Sequence, residues 1–370
     1  MSEKEHKRFM LAFFALTGAL LVLAAVYVFL FDPFFHYHGL WFGMQGIQNK
    51  EEFQVNGALE HLDYDALLLG ASVTMNINTN ELDEHFGCHT QKAVASGAYN
   101  STLCYYLEKA FRYQKLDHVF WGLDPDQLIY EIEDPPTQDQ ILYLRDKNPF
   151  NDVNYLWNVD VIFEEIPYAA SVSWKKGYDP GSAYDFTVYM EAGIDKALET
   201  HTPEGEVKEL RSVEGENYRN RRDANLDNME RLVAAHPETQ FHFFFTVSSI
   251  LWWDIHYRDG NYERYFDAQE AAVKRLAAYD NVEFCTGVFN DEACVMDLSH
   301  YFDYCHADRV VNQRQARAII DRERVVTPEN VGEETERMRR LLLDFEERLE
   351  REGGDWSFLY EYAGSVDTDG

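Results

Sequence analysis

The chain has 370 residues, enough to bury a full hydrophobic core. It is 46% hydrophobic and 15% aromatic, a globular composition that excludes a disordered or fibrous protein. Its net charge of -32 argues against nucleic acid as a partner, because holding a phosphate backbone takes Lys and Arg, here outnumbered 65 to 33 by acids. The first element is a run from Met10 to Phe31 without a charged residue, and roughly 20 apolar residues let a helix cross a bilayer. Lys4, Lys7 and Arg8 precede it and Asp32-Pro33 follow. The positive-inside rule then leaves residues 1–9 cytoplasmic and everything after residue 31 extracytoplasmic, a single-pass plasma-membrane topology. The apolar run continues through Tyr27-Val28-Phe29-Leu30-Phe31, longer than the core of a cleaved signal peptide, so an uncleaved anchor is predicted.

Residues 32–60 read as a membrane-proximal segment. Its aromatic stretch Asp32-Pro33-Phe34-Phe35-His36-Tyr37-His38 suits the membrane-water boundary, and nothing nearby completes a metal site around His36 and His38. From 61 to about 325, strand-like and helix-like patterns alternate. Strands are predicted at Tyr64 to Gly70, Lys92 to Ser96, His118 to Leu123, Phe241 to Val247 and Val282 to Cys285, with helical spacing at Tyr99 to Tyr113 and Tyr265 to Tyr279. That order implies an α/β domain with a parallel sheet covered on both faces. Between about 125 and 225 the alternation fails, which predicts an insertion with its own helices and a candidate lid beside the site. Residues 326–370 predict an amphipathic helix from Asn330 to Arg351, then an acidic tail after Gly353 that is partly mobile. Five scattered cysteines form neither a disulfide framework nor a zinc pattern, although Cys285 and Cys294 could pair outside the cell.

Ser72, in Gly70-Ala71-Ser72-Val73-Thr74, follows a strand that closes on glycine. It therefore stands at the carboxyl edge of a parallel sheet, where ligands of open α/β sheets bind. A serine hydroxyl needs a base to become nucleophilic, and the base usually needs a carboxylate to orient it. The C-terminal part offers two pairs of the form Asp-x-x-His, Asp297 with His300 and Asp303 with His306, and spacing alone does not choose between them. Trp252 and Trp253 follow the fourth strand at the same sheet edge, where they either stack on a sugar ring or acyl chain or lie buried.

These residues carry a resemblance. Asp32-Pro33-Phe34-Phe35-His36-Tyr37-His38, Tyr64 through Asn76, Trp121-Gly122-Leu123-Asp124, Ser248-Ser249-Ile250-Leu251-Trp252-Trp253 and Tyr301-Phe302-Asp303-Tyr304-Cys305-His306 together resemble the SGNH/GDSL hydrolases. More narrowly they resemble the membrane-anchored members of Gram-positive bacteria, distantly like the D-alanyl transfer protein of teichoic-acid modification. Similar segments extend over nearly the whole chain beyond the anchor. The resemblance implies a flavodoxin-like three-layer α/β/α sandwich with Ser72 as nucleophile. It implies oxyanion donors at the Ser72 and Gly97 backbone amides, and it selects His306 with Asp303 over His300 with Asp297. It departs at Asp124, where the family carries an Asn that donates to the oxyanion. Asn76 or Asn100 would then supply that donor, or Asp124 would cap the turn before Pro125. A smaller departure is Thr246-Val247, where relatives tend to have prolines.

The expected function is a serine esterase or O-acyltransferase acting on an acylated cell-wall glycan or teichoic-acid-like polymer, without metal or organic cofactor. Asn76, Asp124, Trp252 and Trp253 are its candidate substrate contacts. The rival expectation is a catalytically idle, envelope-binding or scaffolding protein on the same fold.

Overall fold

The computed structural model describes residues 2–130, 139–175, 177–202 and 207–367. The chain forms two compact units, one of residues 1–62 with 137–180, the other of residues 63–136 with 181–370. The stretch expected as one insertion, 125–225, is thus divided between them, and its residues 131–138, 176 and 203–206 lie outside the described residues.

The second unit is built on a six-stranded sheet. Its strands are β1 (Ala66–Gly70), β2 (Thr90–Val94), β3 (His118–Leu123), β4 (Gln240–Phe245), β5 (Val282–Cys285) and β6 (Val325–Val326), in the order β2-β1-β3-β4-β5-β6. β1 to β5 are parallel and β6 pairs antiparallel with β5. All five residues of β1 are buried, which explains why it reads as an unbroken apolar run and not as an alternation. On one face Ala66, Leu68, Phe120 and Phe244 pack with Ile77, Leu82, Ala316 and Ile319, so the helices Asn80–Phe86 and Arg309–Ile320 cover it. On the other, Trp121 stacks on Phe243 at 5.5 Å, beneath a layer in which the helices Asn100–Tyr113, Glu216–Ala235 and Tyr262–Leu276 lie side by side. Each such ring or branched side chain contributes ~1.5–3 kcal/mol by leaving water.

The sheet order reverses between β1 and β3, and such a switch point is where open α/β sheets bind ligands, at the carboxyl ends of the strands. The turn after β1 lies down on both strand ends there. A Cβ on Gly70 would stand 2.2 Å from Thr74 Oγ1, and one on Gly122 would stand 2.4 Å from the same atom, so both glycines are required for the turn to approach this closely.

Near the C-terminus, the helix Val331–Arg351 buries Met338, Leu342, Phe345 and Leu349. The tail expected to be partly mobile holds a 3-10 helix, Trp356–Tyr362, whose Phe358 and Leu359 are buried; residues 368–370 lie outside the described residues. The possible Cys285–Cys294 disulfide is absent. Both are free thiols, and Cys285 Sγ donates to the carbonyls of Ala318 and Glu323.

The first unit begins with a 29-residue helix, Glu3–Phe31, capped by Ser2 and Glu5 and long and apolar enough to cross a membrane. Asp32 ends it in the left-handed conformation, and its carboxylate accepts the N–H groups of His36, Tyr37 and His38, folding the chain back sharply. This reversal buries Phe34 and Phe35, while His36, Tyr37 and His38 stay partly exposed. His36 and Tyr37 both meet Asp152, at 3.4 and 3.0 Å, which accounts for His36 by packing and hydrogen bonding.

Candidate active site

Ser72 opens the short helix Ser72–Met75 one residue after β1, at the carboxyl edge of the sheet and at its switch point. Its neighbours Ala71, Val73, Thr74 and Met75 are buried, while Ser72 itself stays half-exposed. Asp124 follows β3 much as Ser72 follows β1, and its carboxyl lies near enough to His306 to feel that ring's charge. The same edge therefore presents a hydroxyl and a carboxyl from neighbouring strands.

The third member arrives from the far end of the chain. The loop 301–308 closes on itself through the bridge between Tyr301 and Ala307 and the bond from Phe302 N–H to the His306 carbonyl, 3.0 Å. Inside it, Asp303 Oδ1 accepts the N–H groups of Cys305 and His306, both at 2.7 Å, and Oδ2 lies 2.7 Å from His306 Nδ1. His306 Nε2 lies 2.8 Å from Ser72 Oγ. One carboxylate thus holds both the backbone and the ring of the histidine that faces the serine. Burial alone would raise the Asp303 pKa, but the hydrogen bond and charge of His306 and the two N–H donors hold it below the ordinary carboxylate value. An ionised Asp303 fixes a proton on Nδ1 and leaves Nε2 free to accept one from Ser72.

The second Asp-x-x-His pair is not brought to Ser72. Fully buried Asp297 accepts from Ser299 N–H and Oγ with one oxygen and from the N–H groups of Ser365 and Val366 with the other. His300 turns away from it to Asp308, with Nδ1 2.8 Å from Oδ2, and that bond raises its pKa.

Asp124 caps the helix Pro125–Ile129, its carboxylate accepting Asp126 N–H at 3.2 Å. Burial and then the charge of Asp126 push its pKa up to about 7, against the opposing pull of that N–H and of His306. Burial thus favours the neutral, protonated carboxyl more than in an ordinary aspartate. Gly97 stands in the turn after β2 at φ 59, a conformation that glycine adopts without strain. Asn76 and Asn100 are both buried with the amide oxygen engaged, Asn76 Oδ1 by Phe186 N–H and Asn100 Oδ1 by Cys104 Sγ, and with Nδ2 unpartnered. Each therefore keeps a spare donor, and the described hydrogen bonds join neither to Ser72.

Trp252 and Trp253 are corrected from candidate substrate contacts to core. Ser249, four residues past the end of β4, caps the helix Ile250–Arg258, which turns both rings under the helix Tyr262–Leu276. Trp252 packs on His256 and Tyr265, and Trp253 stacks on Phe266 at 5.1 Å.

Several residues at the site had no sequence signal. Phe186 sets its ring edge-on to His306, with centroids 5.5 Å apart at 86°, and its N–H donates to Asn76 at the end of the nucleophile turn. Lys92, wholly buried in β2, donates to the carbonyls of Met75 and Ala183 at 2.8 and 2.7 Å. The loop that carries His306 is held by Thr200 Oγ1, which accepts Tyr304 N–H, and by Ser249 Oγ, which donates to the Tyr304 carbonyl. Among the described residues no group of three or more His, Cys, Asp or Glu side chains is placed to hold a metal.

Neither a family model nor a curated protein matches this chain. Among solved structures it is similar to one described as "a putative platelet activating factor" from Streptococcus pneumonia, with 12% sequence identity over 74% of this chain and 90% of that one and a TM-score of 0.39.

Proposed function

We propose that the protein is a serine esterase or O-acyltransferase of the SGNH type, anchored by Glu3–Phe31 with its body outside the cytoplasm, acting on an acylated polymer of the cell envelope. The observation that carries this reading is the unbroken relay from Ser72 Oγ through His306 to Asp303, at 2.8 and 2.7 Å. In the first half-reaction Ser72 Oγ attacks the ester carbonyl while His306 Nε2 takes its proton. The tetrahedral intermediate collapses as His306 returns that proton to the leaving alcohol, which leaves an acyl group on Ser72. Water or a glycan hydroxyl, deprotonated by His306, then attacks the acyl-enzyme and releases the serine. Asp303 holds the imidazole tautomer and stabilises the imidazolium in both halves.

The oxyanion falls to the backbone N–H groups of Ser72 and Gly97, each donor contributing roughly 3 kcal/mol to the transition state. Asp124 bears on the third donor. Ionised, it would repel the oxyanion and favour the rival reading of an idle envelope-binding scaffold. Protonated, the form that its burial and the charge of Asp126 favour, it donates as an amide would. The spare Nδ2 donors of Asn76 and Asn100 are the alternatives.

Two measurements test the function together. The purified full-length protein should hydrolyse a soluble phenyl ester at a rate abolished by Ser72→Ala, and a strain carrying Ser72→Ala should differ from its parent in ester-linked acyl content of the envelope. An unchanged hydrolysis rate in Ser72→Ala removes the enzyme reading. Hydrolysis that is lost with no change in the envelope removes the polymer as substrate and leaves the esterase.

A further inference from the structure

The first unit carries an unusual surface. Its residues 150–174 expose Phe150 (88%), Val159, Phe163 (72%), Tyr168 and Trp174 (79%), a density of bare apolar rings that soluble surfaces seldom show. From residue 163 onward these side chains follow a helical face, since Phe163, Pro167, Ser171 and Trp174 recur every three to four residues while Ile166, Ala169, Ala170 and Ser173 between them are buried. The covered side packs on the N-terminal helix: Val161 and Ile166 share a core with Val28, Tyr27 and Phe31.

The level of this contact along the helix is informative. Trp157 Nε1 donates to the carbonyl of Leu21 at 2.8 Å. Leu21 precedes Phe31 by ten residues, about 15 Å of helix. A second segment comes back along the same stretch: Trp41 meets Phe29 and Phe42 meets Phe31, each with ring centroids 5.9 Å apart, and Phe42 is 68% exposed. Ser173 Oγ ties this loop to the first segment through Gln45 N–H at 2.7 Å. Leu20, Leu23, Val26 and Phe29 of the helix are themselves exposed at this level, so whatever covers them also reaches the two flanking segments.

We propose that the helix Glu3–Phe31 does not enter the bilayer as a bare anchor but carries a collar, formed by residues 40–42 and 150–175, that is seated in the lipid leaflet on the side of the body. This rests on the reading that the helix spans the membrane. The occupant of the collar's outer face is lipid, at the boundary between headgroups and acyl chains. Trp and Tyr favour that zone, and an interfacial helix sinks its apolar face ~5–10 Å into it. The exposed Asp160 and Glu164 fix the depth, because their carboxylates must stay among headgroups and water. The collar therefore lies in the interface and does not cross.

The test uses the full-length protein in phosphatidylcholine–phosphatidylglycerol vesicles containing dibrominated lipid, which quenches tryptophan on contact. Parent emission should be quenched, more strongly by bromines near the headgroup than by bromines near the chain end. The double variant Trp157→Phe/Trp174→Phe should lose a large share of the quenchable emission. Quenching in the double variant equal to the parent's, in protein that still resists alkaline carbonate extraction, overturns the collar and leaves the anchor intact. Release by carbonate overturns both. Should the double variant misfold, the depth dependence in the parent decides alone, and no preference for shallow bromines contradicts the proposal. Absent quenching, together with capture of a membrane protein by a photo-cross-linker at Phe163 in cells, would overturn lipid as the occupant.

Discussion

Two runs of Asp-x-x-His stand six residues apart in this chain, and the structure uses them for opposite purposes. In Asp297–His300 the carboxylate is fully buried and all its bonds go to Ser299 and the backbone of 365–366; the histidine ends the 3-10 helix Leu298–His300 and bonds elsewhere. In Asp303–His306 the carboxylate is only partly buried and folds the loop so that the histidine three residues on returns to it, with the other ring nitrogen directed at Ser72. Spacing is identical in the two runs. What separates them is the backbone between, a 3-10 helix in the first and in the second a bend whose aspartate also accepts the N–H of the histidine itself, and what other donors compete for the carboxylate.

The largest expected effect breaks the relay itself. Ser72→Ala or His306→Ala should each lower kcat on ester substrates by on the order of 10^4-fold or more, and the double variant should be scarcely worse, because the residues act as a unit. Asp303→Asn should follow with a loss of roughly 10^2 to 10^4-fold, since an amide can fix the wrong tautomer. A pH profile sharpens the comparison next. If neutral Asp124 donates to the oxyanion, activity falls as pH rises through about 7 and the carboxyl ionises, and Asp124→Asn removes that alkaline limb. An unchanged limb in the Asn variant assigns Asp124 to its helix cap alone.

The other run should respond in the reverse sense. Asp297→Ala should cost ~1–3 kcal/mol of stability, read as a lower thermal midpoint, through the N–H groups it leaves unpaired, with kcat nearly unchanged. His300→Gln should do least, under ~1 kcal/mol in stability, because its partner Asp308 keeps its cap on the helix Arg309–Ile320.

Much of the sheet was legible because buried parallel strands write themselves as apolar runs between glycines and helical patterns. β3 and β5 fall at the residues expected, and β4 ends two residues early, where Thr246 and Val247 leave the ladder. β2 runs from Thr90 to Val94, two residues earlier at both ends than expected, since Thr90 and Gln91 are polar and yet buried. β6 has only two residues and carries no periodicity to read. At the site, Ser72, Asp303 and His306 stand out by position and chemistry. Phe186 does not: it meets His306 across 120 residues of chain, from a stretch without regular pattern. The two tryptophans misled for a related reason, because a sequence places them at the sheet edge but does not say that Ser249 starts a helix which carries them inward. The collar was invisible for lack of a long helical period, its apolar residues being spread over a short helix, a π-turn and loops.

The central claim is that Ser72 is made nucleophilic by His306. It is tested most directly by mass-spectrometric localisation of a fluorophosphonate adduct on the full-length protein. The expected adduct lies on the Ser72 peptide of the parent, persists in His300→Gln, falls sharply in His306→Ala and is absent from Ser72→Ala. An adduct formed equally well in Ser72→Ala or in His306→Ala would contradict it.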